Sequence, residues 1–413
     1  MAESNNSYKW FILALVVFTN LFLTAIPTMG ISVMSKEISD DLQLNLVQVG
    51  VMWGAVSLPG IVASLLGGMV CDKFGSKRVL VVGSLLAGLM GMARGWSVDF
   101  LTITTTMVLC GAITPFVSMS GIKALGQWFP SHQLGLANGV YSMGMALGFL
   151  IGSLLSATTL SPLLGGWRNV LMLYGLIGAM CSIPWFFTRV APGSLHASGA
   201  SVSFLSNLKH VAGLKNIWLL GLTLFGVSGA IQGALGYLPL YLRNLGWQPV
   251  NADGALSAFH MVSMLCVMPV ALWSDRLGSR KRLLLFANLL IAAGLGLLGF
   301  VGGGLILAAV VCAGLMRDAF MALFTTMVIE TRKVGAAFAG TAIGFTMGFG
   351  ALSNIIAPPI GNSLASIWPG APFLFWAALC VFGMVCLSLV EAGARPKDTA
   401  VGELAPVPAE SGD

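Results

Sequence analysis

Apolar residues run through the chain in long blocks, broken only where charge, proline or glycine gathers. No block alternates strictly as a half-buried strand would. Crossing a bilayer core takes about 20 residues of helix. The blocks predict spans near 9–34, 46–70, 79–98, 101–124, 134–159 and 169–190, then 216–242, 254–274, 282–302, 304–329, 335–361 and 370–391. Backbone groups in hydrocarbon must be bonded within their own segment, so each span is expected to be a helix. The fold class that follows is all-α: a membrane protein with 12 transmembrane helices.

One long polar interval divides the spans. It predicts an N-terminal six-helix bundle over 1–190, a linker over 191–215, a C-terminal six-helix bundle over 216–391 and a disordered tail over 392–413. The apolar run after Lys9 has no small-residue cleavage site, so it reads as the first span and not as a leader.

Composition sharpens the class. Of 413 residues, 57% are hydrophobic and only 9% are charged, against about 25% charged in soluble domains. Single water-soluble cores stop growing at about 250–300 residues. A cytosolic enzyme, a nucleic-acid binder and a disordered scaffold are thereby excluded. The seven cysteines stand singly in or beside apolar segments and read as small packing residues, not as metal ligands. No phosphate-binding G-x-x-x-x-G-K-[ST] loop, H-E-x-x-H or G-x-S-x-G occurs, so no ATP-driven step, metal centre or acyl enzyme is indicated, and no cofactor.

The net charge of +6 reflects topology. With the N-terminus inside, sixteen of the 21 Lys and Arg fall on the cytoplasmic side. Four (Lys36, Arg94, Arg168 and Arg243) fall outside, and Arg317 lies within a span. The positive-inside rule then places both termini in the cytoplasm.

The halves also share a motif. Gly68-Met-Val-Cys-Asp72-Lys-Phe-Gly75-Ser-Lys77-Arg78 stands between spans 2 and 3, and Ala271-Leu-Trp-Ser-Asp275-Arg-Leu-Gly278-Ser-Arg280-Lys281 between spans 8 and 9. Gly144, Gly148 and Gly152 find a weaker echo in Gly340, Gly344 and Gly348. Paired six-helix halves are characteristic of secondary transporters. The doubled loop, the Gly-Trp167-Arg168 corner and Trp128-Phe-Pro130 leading into Gly135-Leu-Ala-Asn-Gly139 resemble the signatures of the major facilitator superfamily.

That resemblance, covering about 9–391, implies two pseudo-symmetric bundles that rock about a mid-membrane site. It implies a conformational latch formed by Gly68, Asp72, Gly75, Lys77, Arg78, Asp275, Gly278 and Arg280. Fixing a tight turn is the alternative role for these loops. The Gly-Pro pair usual in span 5 of the superfamily's drug antiporters is missing from Met145–Gly152.

Scarcity of charge singles out Arg317 and Asp318 in the middle of span 10. A charge at mid-bilayer costs about 2.5–3.5 kcal/mol on insertion scales, so such residues face the bundle interior. Neighbouring helical residues point about 100° apart. Arg317 is therefore expected to face the cavity as an anchor for an anion, and Asp318 to face an adjacent helix. A purely structural ion pair is the alternative. Further substrate-binding candidates are Asn20, Gln232, Tyr141 and Tyr237, and His260 joins Asp318 as a coupling candidate because imidazole titrates near neutral pH.

The expectation is a non-enzymatic secondary active transporter of a small organic anion, a mono- or dicarboxylate, working by alternating access with a proton or by exchange. Efflux of amphipathic drugs or metabolites is the second reading, and a non-transporting sensor or scaffold a remote third. Partners implied are the solute, a proton or counter-substrate and the lipid bilayer, with no nucleic acid. The chain reads as a multi-pass monomer of a bacterial inner membrane.

Overall fold

The computed structural model describes residues 2–189, 204–277 and 280–391. Among these no residue lies in a strand, and twelve helices are long and apolar enough to cross a membrane. Spans 1–6 are Ser7–Val33, Leu46–Ala63, Ser76–Trp96, Phe100–Trp128, Gln133–Leu164 and Trp167–Phe187. Spans 7–12 are Lys215–Asn244, Pro249–Val270, Arg280–Leu298, Leu305–Ile329, Phe338–Ser366 and Ala371–Ser388. The expected tail, 392–413, lies outside the described residues, as does 190–203 of the interval read as a linker. In the rest of that interval, Phe204–Ala212 forms a helix. It docks where span 11 begins: the His210 ring stacks on Phe338 with centroids 4.3 Å apart, and its Nε2 lies 3.0 Å from the Lys333 carbonyl.

Helix boundaries follow local chemistry. Asn45 and Gln48 form a reciprocal capping box at the start of span 2, each bond 2.9 Å long. Asp99 caps span 4 by accepting the Thr102 N–H at 2.8 Å. That bond holds its carboxyl below the usual carboxylate range. The turn between spans 2 and 3 needs Gly75, whose φ of 82° excludes most side chains.

Helix pairing repeats between the halves. Span 3 packs on spans 4 and 6, as span 9 does on spans 10 and 12, and span 1 packs on span 5 as span 7 does on span 11. One lysine in each set fastens its last helix to its third. Lys77 Nζ donates to the Thr188 carbonyl at 2.5 Å, and Lys281 Nζ to the carbonyls of Ser388 and Val390 at 2.7 Å. A lysine at a helix C-terminus also complements the helix dipole. Arg280 pairs with Glu330, and Ser76 bonds Gln127 in the first set. The contacts described for Lys77, Lys281 and Arg280 thus lie within one set of six. Gly278 lies outside the described part of the structure, and so do the surroundings of Gly68 and the side chains of Asp72 and Asp275.

The two sets meet most closely at the end opposite these basic loops. Trp53 Nε1 of span 2 donates to the Gln232 carbonyl of span 7 at 2.7 Å, and Asn362 of span 11 to the Leu46 carbonyl at 2.9 Å. Gly50 and Gly54 let span 2 lie against the backbone of Asn354–Pro359. Toward the basic end, Gly135 and Gly139 of span 5 and Gly340 and Gly348 of span 11 face open space. The expected echo of glycine ladders is therefore unequal. Gly144, Gly148 and Gly152 pack on Val17, Ala25 and Ile26 of span 1, whereas a Cβ added at Gly340 or Gly348 would meet nothing from other helices within 4 Å.

Candidate functional site

A cavity of about 770 Å³ lies between span 5 of the first set and spans 8 and 10 of the second. It reaches from Gly135 near the basic end to Phe149 and Arg317 at mid-span. Volumes of roughly 300–1,000 Å³ are usual for small-molecule sites.

Span 10 does not cross as one helix. An α-helix ends at Gly314, Leu315 and Met316 form a turn, and a second helix starts at Arg317. Gly314 sits against the backbone of Phe259, and the Asp318 N–H donates to Ser263 Oγ of span 8 at 3.1 Å. Those neighbours hold the break open and supply a partner for one of the N–H groups that a helix start leaves free. Arg317 and Asp318 thereby fall in the first turn of a half-helix, whose positive dipole end favours an anion.

Both residues line the cavity, and Asp318 at the same time faces Ser263 on the neighbouring span 8. Arg317 Nη1 donates to Asp318 Oδ1 at 2.5 Å, and Ser263 Oγ donates to Asp318 Oδ2 at 2.7 Å. The arginine side chain curls back along the first turn, so the 100° between neighbours does not part their charged ends. Its guanidinium carbon stands 5.8 Å from the centroid of Phe149 on span 5. The other side of that neighbourhood holds His260, whose ring lies 5.5 Å from Phe149. His260 is buried and its Nε2 lies 3.0 Å from Met29 Sδ of span 1. A thioether only accepts, so the contact assigns the proton to Nε2.

The other candidates divide. Tyr141 lines the cavity, and behind it Asn20 receives the Ser118 hydroxyl at 2.7 Å and the Tyr141 hydroxyl at 3.4 Å. Asn20 is fully buried, a support for the wall and not part of its surface. Gln232 and Tyr237 are not among the lining residues. Tyr237 donates to the Pro369 carbonyl at 3.1 Å within an aromatic cluster with Phe373 and Trp376. Phe149 and Ser263 carried no sequence signal, being an apolar and a small residue in apolar spans.

Sequence reasoning also missed a buried charge cluster at the opposite end. Arg243, closing span 7, donates to both oxygens of Asp253 at 2.9 and 3.0 Å. Its other terminal nitrogen lies 3.7 Å from Glu37 of the first set, which Ser161 also bonds at 2.7 Å. Asp253 is fully buried near the start of span 8.

Twelve helices in two like sets, with a charged pair in a cavity between them, define a multi-pass membrane protein. The sequence profile of the Major Facilitator Superfamily matches residues 13–339 and 255–411, and the chain belongs to that family. It is a multi-pass integral membrane protein. The chain is 22% identical over 373 residues to the cis,cis-muconate transport protein of Acinetobacter baylyi, covering 87% of this chain and 89% of that protein. It is 24% identical over 207 residues to the probable galactarate/D-glucarate transporter GudP of Bacillus subtilis, or 46% of this chain and 43% of the relative. With that relative, and with others matched as strongly, the similarity spans only about two fifths of their length. In fold the chain is similar to the D-xylose-proton symporter, with a TM-score of 0.78 at 15% identity over 94% of this chain and 99% of that one.

Proposed function

We propose that the chain is a secondary transporter of an organic carboxylate, anchored by Arg317 and moved by alternating access. The Arg317–Asp318 pair at the half-helix start in the cavity wall carries this reading. An arginine fork suits a carboxylate. The solutes named for the two relatives, galactarate or glucarate and muconate, are carboxylates as well. With the basic loops facing the cytoplasm of a bacterial inner membrane, the cavity opens inward and the packed end faces outward.

The pair also suggests how a proton takes part. Arg317 and Asp318 neutralise each other, so an arriving carboxylate competes with Asp318 for the guanidinium. A proton on Asp318 removes that competitor and leaves Ser263 as its partner. Substrate anion and proton then bind together without adding net charge. Bonded to Met29 across the two sets, His260 serves as a sensor of their closure.

Arg317→Gln and Arg317→Lys in proteoliposomes test the anchor. Losing one member of a buried hydrogen-bonded charge pair costs about 2–5 kcal/mol, so Gln is expected to lower uptake of an accepted radiolabelled carboxylate at least 30-fold, about 2 kcal/mol. Lys is expected to retain more than Gln. Undiminished uptake by the Gln variant refutes the anchor. Asp318→Asn tests the coupling: exchange of substrate across the membrane is expected to persist while accumulation driven by a pH gradient disappears. Gradient-driven accumulation that survives in this variant removes Asp318 from the coupling.

A further inference from the structure

The cavity's surface says more about the solute than its single cation does. Five methionines, Met143, Met145, Met264, Met268 and Met321, line it together with Phe149. Polar groups are few, and most are already bonded. The Tyr141 hydroxyl donates to Asn20, and the Thr325 hydroxyl to the Met321 carbonyl at 2.9 Å. Each Asp318 oxygen already accepts one hydrogen bond, from Arg317 and from Ser263. Ser142 is the remaining hydroxyl among the described lining residues, and Arg317 is their sole cation.

A polyhydroxylated acid would bring several hydroxyls to this surface and find almost nothing to bond them. Each hydroxyl left without a partner in an apolar pocket weakens binding substantially. A second carboxylate would meet no second cation. Methionine side chains, by contrast, are flexible and polarisable and adapt to apolar bodies of varied shape. Phe149 beneath the guanidinium continues that apolar surface right up to the charge.

Resting on the reading of Arg317 as a carboxylate anchor, we infer that the preferred solute is an amphipathic monocarboxylate. Its single carboxylate meets Arg317, and its aliphatic or aromatic body lies among the methionines. The solutes named for the two relatives are thus expected to be poor ligands here. One is a hydroxylated diacid and the other an unsaturated diacid.

Three probes separate charge from polarity: 2-naphthoate, cis,cis-muconate and D-galactarate, titrated against the purified full chain in detergent by thermal shift and calorimetry. One added hydroxyl in an apolar pocket already costs about 100-fold, so 2-naphthoate is expected to bind at least 100-fold more tightly than D-galactarate, with muconate between them. Uptake is read with 2-naphthalenesulfonate, which stays ionised and does not cross lipid unaided. Met321→Gln, close to isosteric, is expected to weaken 2-naphthoate about 10-fold and to strengthen D-galactarate. Arg317→Gln is expected to abolish binding of all three. Tighter binding of muconate or D-galactarate than of 2-naphthoate, lost in Arg317→Gln, overturns the inference and leaves the anchor standing. Equal binding of 2-naphthoate and 2-naphthylmethylammonium, unchanged in Arg317→Gln, overturns both. Should Arg317→Gln fail to fold, the order of the three affinities and the Met321→Gln shift still decide the matter.

Discussion

Gly50→Leu with Gly54→Leu is expected to leave a folded protein that binds solute and transports none. A Cβ at Gly50 would lie 2.7 Å from Pro359 Cα and 2.8 Å from the Pro358 carbonyl carbon, and one at Gly54 would lie 2.7 Å from the Asn354 carbonyl oxygen. These neighbours are backbone, so no side chain can swing aside. Overpacking costs about 1–3 kcal/mol per site, and here both sites lie across the boundary between the two sets. The cost is therefore charged to the closed state and not to the fold. Turning a 99:1 preference for that state into 1:99 takes about 5.5 kcal/mol, and two leucines supply about that much. Ser32, buried and bonded to the Leu235 carbonyl across the boundary, gives the readout. In a background without native thiols, Ser32→Cys is expected to react slowly with an impermeant maleimide, and rapidly once both leucines are present. Slow labelling alongside lost transport would place the defect elsewhere.

Arg243→Met is expected to cause the largest loss of stability. Its guanidinium is nearly buried, and Asp253 is fully so. Removing one partner of a buried ion pair costs about 3–5 kcal/mol, because the other charge is left uncompensated. The thermal midpoint in detergent should fall accordingly. Adding Asp253→Leu should recover much of the loss, since replacing an entire buried pair by apolar residues is often neutral. Glu37→Gln should behave differently. Glu37 and Arg243 belong to different sets, so weakening this contact should loosen closure at that end with little effect on either set alone. An equal fall in midpoint for Glu37→Gln and Arg243→Met would contradict this division.

Much of the architecture was legible because hydrocarbon imposes a length and forbids exposed backbone. The twelve spans followed from block length, and the paired Asp72 and Asp275 motifs from spacing. Breaks inside spans were not legible. Span 10 turns at Leu315 and Met316, residues that favour helix, because Ser263 and Phe259 on another helix hold the turn. A π-helical segment at Leu21–Ala25 follows Asn20 in the same hidden way. At the site, Arg317 and Asp318 stood out because charge is rare in the spans. Phe149 and Met29 could not, since apolar residues resemble every other in such a chain. Arg243, Asp253 and Glu37 were lost for the opposite reason: charge is ordinary at span ends, and only burial in the fold makes theirs unusual.

The lysine staples bear on how the chain is made. Lys77 must wait for an acceptor 111 residues later, and Lys281 for acceptors 107 and 109 residues later. At about 5–20 residues per second of synthesis, each wait lasts roughly 5–20 s. Until the sixth helix of a set emerges, the ammonium has only water and lipid headgroups for company. Each set of six is thus completed by its last helix on nearly the same schedule, so the ribosome delivers two like units in sequence.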